Sequence, residues 1–183
     1  MTHIDVRSAL RDSVPGDYSD LVTRRTGMLV RSVVEQRLAG LADGSVAFLD
    51  FTHIGVLDRS CADEFISKLM LPMTADVPPR GGYVVLHGLQ EDHLEIIEQV
   101  LETHQLALVV QLPNLEARLV GAVTAQERAC WEHVMRAGEA LADAVAEGTG
   151  LPCDSCREML EALARRRLLR RVADRFLPLG RVA

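Results

Sequence analysis

Apolar and polar positions follow two different grammars along this chain of 183 residues. In the first, short apolar runs alternate with helix-spaced segments. Val46 to Phe51, broken only by Asp50, is rich in strand formers and too short for an ordinary helix. His53-Ile54-Gly55 interrupts it, Val56-Leu57 follows, and Asp58-Arg59-Ser60 leads into Ala62, Phe65, Ile66 and Leu69, spaced i, i+3, i+4 and i+7. The spacing predicts a buried strand, a loop and a helix with Ser60 at its N-cap and the Glu64–Lys68 pair on its outer face.

The same alternation extends to either side. Residues 3–7 read as a first strand and Ser13 to Asp17 as a turn. Thr26-Gly27 opens a helix with Val30, Val33, Val34 and Leu38 inward. Leu71 to Gly82, with Pro72, Pro78, Pro79 and Gly81-Gly82, excludes regular structure, and Tyr83 to His87 is a second buried strand. Glu91 to Gln105 is a helix with Leu94, Ile97 and Leu101 inward; Leu106 to Leu112 is the last strand, stopped by Pro113. Strands separated by helices pair in parallel through right-handed crossovers. The expectation is an α/β domain over residues 1–113 and a connector over 114–123.

Beyond it the grammar becomes helical. Thr124-Ala125-Gln126-Glu127 is a capping box that starts a helix to about Arg136, with Cys130, Trp131 and Val134 on one side. Glu139 to Glu147 reads as a second helix using Leu141 and Val145 for packing, and Gly148-Thr149-Gly150 as a turn. Leu151-Pro152-Cys153-Asp154 opens a third helix with Cys156, Leu160 and Leu163 inward. Leu168 to Val172 and Arg175 to Leu179 flank Ala173-Asp174 as a hairpin would, so 124–183 is expected to be a second domain.

Composition sharpens this picture. A hydrophobic content of 48% supports a real core, but aromatics are only 4%, so aliphatic side chains must fill it. The net charge of −6 argues against a chain that coats nucleic acid throughout. From Thr124 onward, however, 10 Arg and no Lys face 9 acidic residues, and the first 123 residues carry the acidic excess. Two units with different partners are implied. No secretion signal or membrane-length apolar run is present, so a cytoplasmic chain with reduced cysteines and no membrane partner is expected.

Two resemblances follow from these residues. Leu49-Asp50-Phe51, the loop ending Asp58-Arg59-Ser60, and Ser60-x-Ala62-Asp63-Glu64-Phe65 resemble the STAS fold of anti-sigma-factor antagonists, and more closely a bacterial STAS-like family of unassigned function. The resemblance implies Ser60 as a phospho-switch within a partner-binding loop of Asp58, Arg59, Ser60 and Cys61, although Cys61 stands where the antagonists usually have Gly. A protein partner or a small-molecule signal at this domain is the corresponding expectation.

In the second half, Ala140-Leu141-Ala142 before Thr149-Gly150-Leu151, then Met159-Leu160-x-x-Leu163-x-x-x-x-Leu168-Leu169, resembles the winged helix-turn-helix of bacterial transcription regulators. It implies double-stranded DNA as partner and a homodimer. The third helix would present Cys153, Asp154, Ser155, Arg157 and Glu158 to base edges, while Arg165, Arg166, Arg167, Arg170, Arg171 and Arg175 would meet phosphates. Both resemblances describe a regulator rather than an enzyme. The alternative is a partner-switching adaptor that uses both domains for protein contacts.

Other chemistry is thin. Ser60, His53 and Asp50 are the residue types of a hydrolase triad, without the Gly-x-Ser-x-Gly elbow. Cys153-x-x-Cys156 at a helix start would have a lowered thiol pKa, and with Cys130-x-x-His133 it matches zinc spacing. Cys130 and Cys156 fall on inward stripes, however, where small buried thiols are ordinary. No phosphate-binding glycine loop or dinucleotide fingerprint occurs, so no catalytic site, metal or cofactor is expected.

Overall fold

The computed structural model describes residues 2–74 and 82–179. The chain forms two compact units, Met1–Ala122 and Val123–Ala183.

The first unit is an α/β fold on a mixed five-stranded sheet. Its strands lie side by side in chain order: β1 (Thr2–Asp5), β2 (Val46–Asp50), β3 (Tyr83–His87), β4 (Ala107–Gln111) and β5 (Ala117–Gly121). The first four are parallel and β5 returns antiparallel to β4, with Val109 opposite Leu119. A strand covered on both faces is apolar at successive positions, and Val46 to Leu49 are all buried. Ile4, Ala47, Leu49, Val84, Leu86, Leu108 and Val110 share one core with the helices. Phe48, Val85, Val109 and Leu119 alternate to the other face and are also buried.

The helices are α1 (Val6–Ser13), α2 (Arg24–Ala39), α3 (Arg59–Ala62), α4 (Lys68–Met70) and α5 (Glu91–Thr103). The expected strand over residues 3–7 is cut short. Asp5 ends β1 and at once caps α1, its Oδ1 accepting from Arg7 N at 2.8 Å and Ser8 N at 3.2 Å. Val6, Ala9 and Leu10 then bury one face of a helix that the sequence reading missed. Helix α2 begins two residues earlier than expected, capped by Thr23. Leu71–Thr74 form one 3-10 turn, and residues 75–81, most of the stretch expected to lack regular structure, lie outside the described residues.

Two further expectations are corrected. Residues 114–123 are more than a connector: they supply β5, with Pro113-Asn114 in the tight turn between the strands. Gly121 ends β5 at φ +93°, where an added Cβ would lie 2.5 Å from the Leu106 carbonyl oxygen. Glu64, expected on an outer face, is 4% exposed. Between α3 and α4 the helix widens into a π turn over Asp63–Ser67, and α2 packs alongside it and covers Glu64. There the Glu64 carboxylate meets Lys68 Nζ at 2.6 Å, Arg31 at 3.3 Å and Arg24 at 3.4 Å. Asp63 beside it pairs with Arg24 at 3.0 Å and with His104 Nε2 at 2.6 Å. Gly27 of α2 allows this approach, because a Cβ there would sit 2.7 Å from the Cys61 carbonyl.

The second unit holds α6 (Ala125–Ala137), α7 (Ala142–Thr149) and α8 (Cys153–Arg165) with a three-stranded sheet. The capping box forms as read: Thr124 Oγ1 accepts from Glu127 N at 3.1 Å and Thr124 N donates to Glu127 at 2.8 Å. The expected helix from Glu139 starts later. Ala140–Leu141 instead form β6, paired with β8 (Arg175–Leu177), which pairs in turn with β7 (Arg170–Val172), giving the order β6-β8-β7. Pairing Leu141 with Arg175 leaves Leu141 exposed rather than packed. Gly148 and Thr149 belong to the last turn of α7, and Gly150 ends it in the left-handed region at φ +71°. Trp131, Val145, Cys156, Leu160, Leu163, Leu169 and Phe176 are buried, and Trp131 Nε1 donates to the Leu168 carbonyl at 3.1 Å.

The Lys68 hydrogen bond holds the Glu64 carboxyl below the usual range, and the His104 hydrogen bond does the same for Asp63. A carboxylate with a depressed folded-state pKa stabilises above its unfolded value, and that contribution disappears as pH falls through the folded one. Glu64→Ala is expected to lower the unfolding free energy by roughly 2–4 kcal/mol, since Arg31 loses a largely buried partner. Urea unfolding at pH 7 and pH 3 checks both points. Wild type should lose more stability on acidification than Glu64→Gln; equal losses would mean that Glu64 is not part of the acid response.

Candidate functional site

The loop predicted to bind a partner is organised by one carboxylate. Asp58, rather than Ser60, is the N-cap of α3, with Oδ1 accepting from Cys61 N at 2.7 Å. Ser60 already lies inside the helix and its hydroxyl donates to the same Oδ1 at 2.8 Å. The other oxygen, Oδ2, accepts from Thr23 N at 2.8 Å, where α2 begins. One side chain therefore caps α3 and ties down the start of α2. Burial opposes the charged form of Asp58, but the N–H groups of Thr23 and Cys61 and the Ser60 hydroxyl outweigh it, and its pKa is lowered.

The rest of the loop is laid against residues 19–23 as a short parallel bridge. Leu21 N donates to the Val56 carbonyl at 2.7 Å and Asp58 N to the Leu21 carbonyl at 3.0 Å. Leu21 and Leu57 point into the core while Val22 and Val56 stay exposed, with Tyr18 also exposed nearby in sequence. Arg59 is exposed and Ser60 half-buried, so both are reachable. Cys61 is not: burial, with the charges of Asp58 and Glu64, pushes its thiol up to about 12. It fills space between α2 and α3. His93 was missed by sequence reasoning. It is 2% exposed, and its Nε2 donates to the Gly55 carbonyl at 3.0 Å, buttressing the loop from α5.

The triad residue types do not converge here. Ser60 bonds to Asp58, Asp50 Oδ1 accepts from Thr52 N at 2.8 Å, and His53 is exposed.

In the second unit, the exposed face of α8 carries Cys153 (partly), Asp154, Ser155, Arg157 and Glu158. The arginines differ from expectation in being largely matched by carboxylates. Arg157 pairs with Asp143 at 3.3 Å, Arg166 with Glu127 at 3.2 Å, Arg171 with Glu161 at 2.7 Å, and Arg175 with Glu139. Arg166 is also half-buried. Arg165, exposed, and Arg170, half-buried, have no carboxylate at ion-pair distance among the described residues. Arg167 is likewise half-buried. The hairpin tip Arg171 to Arg175 is exposed throughout, with Ala173 at φ +55° in its turn.

The cysteines separate by environment. Cys130 and Cys156 are fully buried, their sulfurs 3.9 Å apart between α6 and α8. Burial and the neighbouring Cys156 push the Cys130 thiol up to about 12. Cys153 donates to Asp143 Oδ1 at 2.8 Å, and this bond raises its pKa. That is opposite to the lowered value expected for a helix start: the Asp143 hydrogen bond outweighs the opposing Arg157 guanidinium. His133 packs against Gly148, and among the described residues no three His, Cys, Asp or Glu side chains converge on a metal position. No described helix is long and apolar enough to cross a membrane.

Comparison with protein-family models, curated proteins and solved structures finds no match in any of the three.

Because Asp58 rather than Ser60 is the cap, Asp58→Ala should destabilise by about 1–2 kcal/mol and Ser60→Ala by about half as much or less. Thermal unfolding of both variants checks the ranking. The reverse order would remove Asp58 from the centre of the loop.

Proposed function

We propose that the chain is a bacterial regulatory protein in which a STAS-like domain receives a signal or a partner and a winged helix-turn-helix domain binds double-stranded DNA as a homodimer. The observation that carries this reading is the β6-β8-β7 order. A strand between the first and second helices pairs with the far strand of a hairpin that follows the third helix. A winged helix needs this arrangement to set its hairpin beside its recognition helix. In such a domain, the exposed early residues of α8 (Cys153, Asp154, Ser155, Arg157) would meet base edges in the major groove. Arg165, Arg170, Arg171 and Arg175 would meet phosphates.

A second reading is favoured by a specific observation. Four arginines of this surface are already paired with carboxylates, and a matched surface suits protein contacts as well as DNA. The chain would then be a partner-switching adaptor that uses both domains for protein contacts, with Asp58, Arg59 and Ser60 as the reachable part of its loop. A phosphate on Ser60 would stand beside the Asp58 carboxylate that now accepts its hydroxyl, and like-charge repulsion would loosen the ties to Thr23 and Cys61.

Selection of bound fragments from random duplex DNA over a salt series distinguishes the two. The first reading expects an enriched palindrome with affinity falling steeply as salt rises. Arg165→Ala with Arg170→Ala should reduce the slope of log K against log salt by about 2, one released counterion for each lost phosphate contact. No enrichment at about 50 mM salt, together with capture of a protein partner that Ser60→Asp alters, would replace the DNA reading with the adaptor.

A further inference from the structure

Asp143 is an acidic side chain where the proposed DNA surface should be basic. It lies in the first turn of α7 and is 76% exposed, so no core packing requires it. Its Oδ1 accepts from Cys153 Sγ at 2.8 Å and from one terminal nitrogen of Arg157 at 3.3 Å. The same Arg157 nitrogen lies 3.9 Å from Cys153 Sγ. Cys153 and Arg157 are four apart on α8, hence neighbours on one face of that helix. Three side chains from two helices thus meet around a single carboxylate oxygen.

Taken as a phosphate-facing residue, Asp143 only weakens binding by repulsion. Taken as a buttress, it has a use. A free arginine side chain samples many rotamers, and a guanidinium anchored through one nitrogen keeps its remaining N–H groups fixed and directed outward. That fork is the shape which pairs with the O6 and N7 acceptors of guanine in the major groove. We infer that Arg157 is the base-discriminating residue of α8 and that Asp143, itself held by the Cys153 thiol, is the positioning residue that aims it at a guanine. This rests on the DNA reading proposed above.

The test uses the full chain and two duplexes, the sequence recovered by selection and its scrambled version, at about 50 and 200 mM salt. Wild type is compared with Asp143→Ala, Asp143→Asn, Arg157→Ala and the double variant Asp143→Ala/Arg157→Ala. Arg157→Ala should lower the ratio of selected to scrambled affinity by about 5- to 150-fold, the discrimination one bidentate contact supplies. Asp143→Ala should lose much of the same ratio while its affinity for the scrambled duplex stays equal or rises, because a negative charge has gone. The double variant should lose no more than Arg157→Ala alone. Asp143→Asn, whose amide oxygen still accepts from the guanidinium, should keep most of the ratio. Cys153→Ala should lower the ratio less than Asp143→Ala does.

Thermal unfolding separates a folding defect from this effect, and Asp143→Asn keeps the test open should the alanine variant unfold. If wild type selects a sequence and Asp143→Ala retains the full ratio, the buttress is wrong and the DNA reading stands. If wild type binds both duplexes equally and with salt dependence, DNA binding stands and the assignment of Arg157 falls. If wild type binds neither, both fall together.

Discussion

The buried carboxylate of Glu64 sets how the helical layer of the first unit packs. Among the described residues it is the one acidic side chain there with almost no water contact, and three cations from α2 and α4 surround it. A charge so placed fixes the relative position of its neighbours, because displacement would strand an ion in a poor solvent. Helix α2 must approach α3 closely enough for Arg31 to reach, and Gly27 is what permits that approach. The π turn over Asp63–Ser67 holds Glu64 against α2 while Phe65 and Ile66 stay in the core. Side chains around this widened turn then bind Arg24 and His104, linking α2, the turn and the end of α5.

This dependence explains which parts of the fold were legible in the sequence. Strands buried on both faces read as apolar runs, so β2, β3 and β4 could be found from composition alone. The helical stripe Ala62, Phe65, Ile66 and Leu69 was equally plain and is buried. What failed was the position of Glu64, because a helical wheel cannot show that a distant helix, α2, packs over that side. Helix α1 escaped for a different reason. Asp5 serves as both strand end and cap, so no turn residue separates two elements, although Val6, Ala9 and Leu10 carried the helical spacing. Strand β5 was hidden behind a proline-containing turn, and only Leu119 and Val120 of its five residues are apolar enough to signal burial.

The candidate site was legible in its residue types and not in its bonding. The Asp-x-Ser sequence marked a loop entering a helix, but spacing alone could not say which of the two residues caps that helix. The structure gives that role to Asp58 because a carboxylate has two oxygens. One accepts from the α3 backbone and from Ser60, while the other reaches Thr23 across the chain. A serine hydroxyl could not hold both segments. Ser60 is left as a donor on the outside of this arrangement, half-buried and directed at a negative group. Any added negative charge there acts against the contact that organises the loop.

The same lesson applies to charge in the second unit. Between Arg157 and Arg181 the sequence has eight arginines against three acidic residues, which suggests a strongly positive surface. The fold brings acidic partners from outside that window: Glu127 from α6, Glu139 from before β6 and Asp143 from α7. A count along the chain therefore overstates the field a phosphate would meet. Those pairings also differ in kind. Glu127 holds a half-buried arginine and completes a capping box, so it belongs to the fold. Asp143 holds a largely exposed arginine, caps nothing and buries little. A carboxylate that contributes so little to packing is best understood through the one group it orients.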